Sequence, residues 1–172
     1  MLQEAFDNPL PYIRIREEER NLRGVMPQSV KYYEVYDAEL ESDTLRFYLL
    51  LVNGNYYELH FSNSANEYDP ISIFGSKYKR NQLTRIIATA IDIAVDKIKE
   101  KTTPFLIYGS DNKKTNLFKK AILSKMPDVI VKDVKNVKGV DGSIYPSGFY
   151  VKRDTRTLKI EQMIQNILKA NK

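Results

Sequence analysis

The spacing of apolar residues changes near residue 80, and this change constrains the fold more than any other feature of the sequence. Upstream, apolar residues alternate with polar ones or form short runs between turn residues. Downstream, they recur every three or four positions. A change from a period of two to a period of 3.6 predicts strands followed by an amphipathic helix, with Asn81 as its N-cap. The helical positions are Leu83, Ile86, Ile87, Ala90, Ile91, Ala94, Val95 and Ile98.

Four strands are predicted before this helix, and the first three lie between residues 31 and 61. "KYYEVYDAEL" at 31–40 alternates, and "LRFYLLLV" at 45–52 and "NYYELHF" at 55–61 flank Asn53 and Gly54. An Asn-Gly pair between two apolar runs predicts a hairpin, because both residues tolerate a positive φ.

Further elements complete an α+β pattern. "ISIFG" at 71–75 is a fourth, short strand, and the wholly apolar "FLIYG" at 105–109 is typical of a strand buried on both faces. A helix capped by Ser110 or Asp111 follows, then two strands and a closing amphipathic helix. This order predicts a mixed, mostly antiparallel sheet with a central β-α-β crossover, in which the strand around Ile73 is parallel to that around Leu106.

The chain divides into three parts by composition. Residues 1–29 are expected to be an irregular N-terminal arm, 30–154 an α+β domain, and 155–172 a C-terminal amphipathic helix. The absence of cysteine excludes disulfides and thiolate metal sites. No secretory signal or membrane-spanning run is evident, so we expect a cytoplasmic or virion-associated protein.

Charge is distributed unevenly along the chain. Residues 1–74 hold 6 basic and 13 acidic side chains, whereas residues 75–172 hold 21 basic and 9 acidic ones, within a net charge of +5. A basic face could meet nucleic acid, a phosphorylated cofactor or an acidic protein. The alternative is self-association, in which the basic face of one copy meets the acidic face of another.

The segment that precedes the long helix is a candidate anion site. Its basic residues and the helix N-terminus both favour a bound phosphate. The alternative is that these residues only keep the start of a surface helix solvated. The candidate residues are Gly75, Ser76, Lys77, Lys79, Arg80 and Asn81.

The order of elements over residues 31–152 resembles the core of the GNAT acyl-CoA N-acyltransferases. In that family the loop before the long helix holds the diphosphate of acetyl-CoA on glycine-rich main chain. In this chain Arg80 occupies the position of the family's first glycine, and Gln82 occupies the position where the family has glycine or alanine. On the later helix Asn112 matches the family's asparagine, while Lys119 replaces its tyrosine. The resemblance implies acetyl-CoA as cofactor and a carboxylate base on a middle strand.

Glu58 and His60 are the candidate catalytic residues if the protein is an enzyme. Both lie in "YYELHFS", two residues apart, so we expect them on the same face of a strand. His60, the only histidine, would act as a general base oriented by Glu58, or Glu58 itself would be the base. The alternatives are a half-exposed strand histidine and a cross-strand pair between Glu58 and Arg46.

A lysine cluster on the later helix is a candidate nucleic-acid surface. Tyr78, Tyr108 and Tyr145 could add stacking. Lysines at helical spacing also form ordinary solvated faces, and no nucleic-acid motif is present. No metal site is expected from the scattered acidic residues. The cluster comprises Lys113, Lys114, Lys119, Lys120 and Lys125.

These observations favour a non-enzymatic interaction or structural protein on an acyltransferase-like fold. Protein partners would bind the N-terminal arm and the C-terminal helix, with a homo-oligomer as one form. The sequence also resembles uncharacterised phage and Bacteroidetes proteins with this core, which implies a virion or accessory component. An acetyl-CoA-dependent N-acyltransferase is the first alternative, and a nucleic-acid-binding accessory protein is the second.

Overall fold

Seven strands pair into one mixed sheet in the computed structural model, which describes residues 6–18, 30–62, 78–109, 111–140 and 142–171. The order across the sheet is β1-β2-β3-β4-β5-β7-β6. The strands are β1 Tyr12–Glu18, β2 Val30–Leu40, β3 Asp43–Val52, β4 Tyr56–Ser62, β5 Phe105–Gly109, β6 Val129–Lys138 and β7 Ile144–Arg153. The helices are α1 Arg80–Glu100, α2 Asn112–Lys125 and α3 Thr155–Ala170.

The mixed, mostly antiparallel α+β sheet predicted from the sequence is confirmed. Neighbouring strands are antiparallel except β4 and β5, which are parallel. The parallel neighbour of β5 is β4. The sequence also predicts a strand around Ile73 that is parallel to β5. That segment, with the predicted strand at 71–75, lies outside the described residues.

The predicted hairpin between β3 and β4 is also confirmed. Asn53 and Gly54 have φ values of 52° and 71°, in the left-handed region that these two residue types tolerate. Val52 pairs with Tyr56 directly beside the turn. This register places Glu58 and His60 on the same face of β4, two residues apart.

Helix α1 covers one face of the sheet and begins earlier than expected. Its buried stripe includes Ile86, Ile91 and Ile98. The prediction of Asn81 as N-cap is wrong, because Lys79 is the N-cap. Asn81 lies within the first turn, where its Oδ1 accepts the Gln82 N–H at 3.0 Å.

The expectation of an irregular N-terminal arm is wrong for residues 12–18. These residues form β1, which pairs with β2 along the edge of the sheet. Phe6 and Leu10, which precede it, are buried in the core. The Tyr12 hydroxyl donates to Asp92 at 2.8 Å, which ties the strand to α1.

The second face of the sheet, which we call the open face, lies opposite α1. Part of it is fully buried: Val35, Tyr48, Leu50 and Val52 form an apolar cluster. Val140, from the connection between β6 and β7, packs against this cluster. Glu58 belongs to the same face, because it alternates with Tyr57 and Leu59 on the α1 side.

Candidate functional site

Strands β4 and β5 share little pairing. Their register contains one pair, Tyr57 with Phe105, whereas β3 and β4 share seven. The Tyr57 N–H donates to the Pro104 carbonyl at 2.9 Å, at the start of β5. Beyond this point the two parallel strands have no further register pair among the described residues. Glu58 is the next residue of β4.

Glu58 is a buried carboxylate on the open face, with 1% of its side chain exposed. His60 Nε2 lies 3.0 Å from its Oε2, and the Tyr108 hydroxyl donates to the same oxygen at 3.4 Å. The other oxygen, Oε1, accepts no hydrogen bond from the described residues. The structure therefore brings Glu58 and His60 together as the sequence predicted, and adds Tyr108.

Four tyrosines from three strands form two pairs of rings in this part of the sheet. The rings of Tyr56 and Tyr150 meet edge to face with centroids 5.7 Å apart. The rings of Tyr108 and Tyr145 lie 4.4 Å apart. Gly148 lies opposite Tyr108 in the register, and a Cβ there would come within 3.1 Å of the Tyr108 Cβ. Glycine therefore allows the close approach of β7 to this ring.

Burial and the charge of Glu58 both act on the two facing tyrosines. Burial raises the pKa of Tyr56 to about 12, with the Glu58 charge as the next cause. Burial and then Glu58 also raise the pKa of Tyr150. Both phenols therefore stay neutral at physiological pH, and both lie within electrostatic range of the carboxylate. No pattern in the sequence indicated that these strands would bring the rings together.

The predicted anion site lies partly outside the described residues. Gly75, Ser76 and Lys77 are not described. Lys79, Arg80 and Asn81 line a cleft of about 910 Å³ at the start of α1. Glu39 and Glu41 line the same cleft, so its charge is mixed.

Two of the main-chain N–H groups at this helix start have side-chain acceptors. Gln82 Oε1 accepts the Lys79 N–H at 2.9 Å, and Asn81 Oδ1 accepts the Gln82 N–H. Arg85 donates to the carbonyls of Asn8 and Pro9, which uses its charge within the fold. Asn112, the other predicted member, is the exposed first residue of α2 and does not line this cleft.

Some lysines of the predicted cluster on α2 form ion pairs, and others are exposed to solvent. Lys119 binds Asp133 of β6 at 2.8 Å, and Lys125 binds Asp7 at 3.3 Å. Lys114 lies 3.7 Å from Asp111. Lys113 and Lys120 are exposed. The structure therefore spreads these lysines over several directions, with acidic partners among them.

Helix α3 presents an apolar stripe to solvent. Arg153, at the end of β7, binds Glu161 at 2.8 Å and the Lys99 carbonyl at 2.6 Å, which fixes the start of the helix. Every described side chain from Lys159 to Asn171 is exposed. Five large apolar side chains are 52–63% exposed: Ile160, Met163, Ile164, Ile167 and Leu168.

Comparison with known protein families, curated proteins and solved structures finds no match for this chain. The resemblance to the acyl-CoA N-acyltransferases therefore stays a prediction from the sequence. Among the described residues, no group of His, Cys, Asp or Glu side chains could hold a metal ion. None of the described helices has the length and apolar character needed to cross a membrane.

Proposed function

We propose that this chain is a non-enzymatic interaction protein that associates with copies of itself through α3. The observation that carries this proposal is the exposed apolar stripe of that helix. An amphipathic helix is stabilised mainly by packing its apolar face, and contiguous exposed apolar surface marks interaction sites. A partner that covers Ile164 and its neighbours would supply the missing packing.

A second copy fits this stripe better than a charged partner. The central two turns, Gln162–Leu168, contain no charged residue. Two such helices can therefore cross without like-charge repulsion, whereas nucleic acid or an anionic membrane would favour lysines there. The five side chains present on the order of 500 Å² per copy, so a two-fold pair reaches the roughly 1,000 Å² total of a specific interface.

The stripe can be tested by a charge placed at its centre. Ile164→Glu is expected to convert the oligomer to a monomer, because two buried carboxylates would face each other across the pair. The matched control, Gln165→Glu, adds the same charge on the polar side of α3 and should leave the oligomer intact. Light scattering coupled to size-exclusion chromatography measures both. A wild-type protein that is monomeric at high micromolar concentration would contradict the proposal.

An acetyl-CoA-dependent N-acyltransferase is the second candidate. It is favoured by the limited pairing of the parallel strands β4 and β5 beside Glu58 and His60. It is disfavoured at the start of α1, where the side chains of Gln82 and Asn81 already accept hydrogen bonds from two main-chain N–H groups, those of Lys79 and Gln82, that could otherwise bind a diphosphate. The residues at that turn do not fit the cofactor, and we derive no catalytic step through it.

Calorimetry separates the two candidates. Titration with acetyl-CoA at millimolar concentration should give no saturable heat if the protein only associates with itself. Saturable heat that is lost in Arg80→Glu would favour the acyltransferase instead. The same titration of Lys113→Glu, on the exposed face of α2, controls for a general loss of positive charge.

A further inference from the structure

The buried carboxylate of Glu58 lacks a full set of partners. Two donors, from His60 and Tyr108, both reach Oε2. Oε1 is buried and receives no hydrogen bond from the described residues. A buried polar atom without a partner is rare in native proteins, and a charged one is costly, so each such group indicates a bound water, ion or ligand.

Compensation of charge at this carboxylate is also incomplete. Among the described residues, His60 is the group within ion-pair distance of Glu58. The other buried glutamate, Glu34, has the ammonium group of Lys97 at 3.0 Å. The difference indicates that a cation is the species that Oε1 would stabilise most.

Tyrosine rings lie near the Glu58 carboxylate. Tyr56 and Tyr150 form one pair of rings, Tyr108 and Tyr145 form another, and the Tyr108 hydroxyl donates to the Glu58 carboxylate. Strand β5 lies between β4 and β7. Its residue Leu106 is 3% exposed and pairs with Tyr150 of β7. Aromatic faces attract organic cations, and several rings around one carboxylate are the arrangement that suits an alkylated ammonium group.

We infer that Glu58 and the surrounding tyrosines form a binding site for a tertiary ammonium group. The single N–H of such a group would donate to Oε1, and its alkyl groups would lie against the rings of Tyr56, Tyr108 and Tyr150. The proposed interaction is one charge-assisted hydrogen bond and contacts with the rings, with no covalent step. This inference does not depend on self-association through α3.

The carboxylate lies one layer of side chains from solvent. His60 is 14% exposed, and Tyr56, Tyr108 and Tyr150 are all partly exposed. Glu58 also follows the one register pair of β4 with β5 found among the described residues. Rotation of one partly exposed ring is a fast, local motion, and it would admit a small cation.

Three probes of similar size separate the contributions to binding. Trimethylammonium carries a positive charge and one N–H. Tetramethylammonium carries a positive charge without an N–H, and tert-butanol has neither a charge nor an N–H. We expect tyrosine ring resonances in NMR to saturate with trimethylammonium at a Kd of roughly 1 mM, given four heavy atoms. Tetramethylammonium should bind roughly tenfold more weakly, and tert-butanol should not saturate. Equal behaviour of all three probes, or no saturation by trimethylammonium, would overturn the inference.

Variants identify the residues responsible. Glu58→Gln keeps the shape of the side chain and should weaken trimethylammonium binding at least roughly tenfold. Tyr150→Leu removes a ring and should also weaken binding, whereas Tyr150→Phe keeps the ring and should not. Thermal unfolding of each variant confirms that it is folded. Unchanged binding in a folded Glu58→Gln, or in a folded Tyr150→Leu if the first variant does not fold, would show that the site is elsewhere.

Discussion

Glu58 and Ile164 contrast two regions of the molecule that depart from the usual rule of burial. Glu58 is a charged side chain that is 1% exposed in the middle of the sheet. Ile164 is an aliphatic side chain that is 52% exposed on the last helix. The first costs free energy because a charge is removed from water, and the second leaves available free energy unused. The proposed self-association and the inferred ammonium site would each provide a partner for one of these side chains.

The largest effect on stability is expected at Glu34, which is also a buried glutamate. Glu34 differs from Glu58 because its partner, Lys97, belongs to the same chain. Glu34→Ala would leave Lys97 buried without its main counter-charge. We expect a loss of about 3–5 kcal/mol in the free energy of unfolding, measured with urea. Glu100→Ala is the control, because Glu100 also contacts Lys97 but is 58% exposed, and it should cost less than about 1 kcal/mol. Similar losses in both variants would contradict this reading of the pair.

Replacement of Glu58 should have a smaller effect than the equivalent change at Glu34. Glu58→Gln removes a charge that has no lysine or arginine partner among the described residues, so desolvation and lost hydrogen bonding offset each other. We expect a change of about 1 kcal/mol or less in the free energy of unfolding. Glu34→Gln should cost more, because Lys97 then loses its counter-charge. Comparison of the two urea midpoints tests this, and the opposite order would show that Glu58 is the better-compensated carboxylate.

Local patterns in the sequence predicted the elements and failed where contacts join distant residues. The hairpin at Asn53 and Gly54 and the helical stripe of α1 depend on local periodicity, so they could be read directly. Strand β1 was missed because arginines alternate with Ile13 and Ile15, although this alternation is itself typical of an exposed edge strand.

The candidate site was only half predictable for the same reason. Glu58 and His60 are two residues apart, and strand geometry alone places them together. Tyr108 and Tyr150 reach Glu58 only through the order of β4, β5 and β7 in the sheet. The apolar positions of α3 were also evident, but the sequence cannot tell a stripe that packs within the chain from one left exposed.

Self-association through α3 should make thermal stability depend on concentration. Because a dimer dissociates when it unfolds, its Tm should rise by roughly 2 °C for each tenfold increase in protein concentration. Ile164→Glu should show the same Tm at all concentrations, and Gln165→Glu should behave like the wild type. Differential scanning calorimetry at three concentrations measures this. A wild-type Tm that does not vary with protein concentration would show that the exposed stripe of α3 does not mediate self-association.

The smallest effect is expected at high pH, where the charge of Glu58 acts on Tyr56. Burial, followed by the Glu58 charge, raises the pKa of Tyr56 from 10.0 to about 12 in the folded protein. A raised pKa stabilises the fold below pH 10, and this contribution is lost as the pH rises through about 12. Tyr56→Phe should therefore lose less stability over this window than the wild type. Glu58→Gln should lower the pKa of Tyr56 only part of the way towards 10.0, because burial is the larger cause and remains. Alkaline titration of tyrosinate absorbance, compared with Tyr56→Phe, measures the pKa of Tyr56 in the wild type and in Glu58→Gln. A Tyr56 pKa that is the same in both proteins would mean that the carboxylate is too far from this ring to act on a cation held beside it.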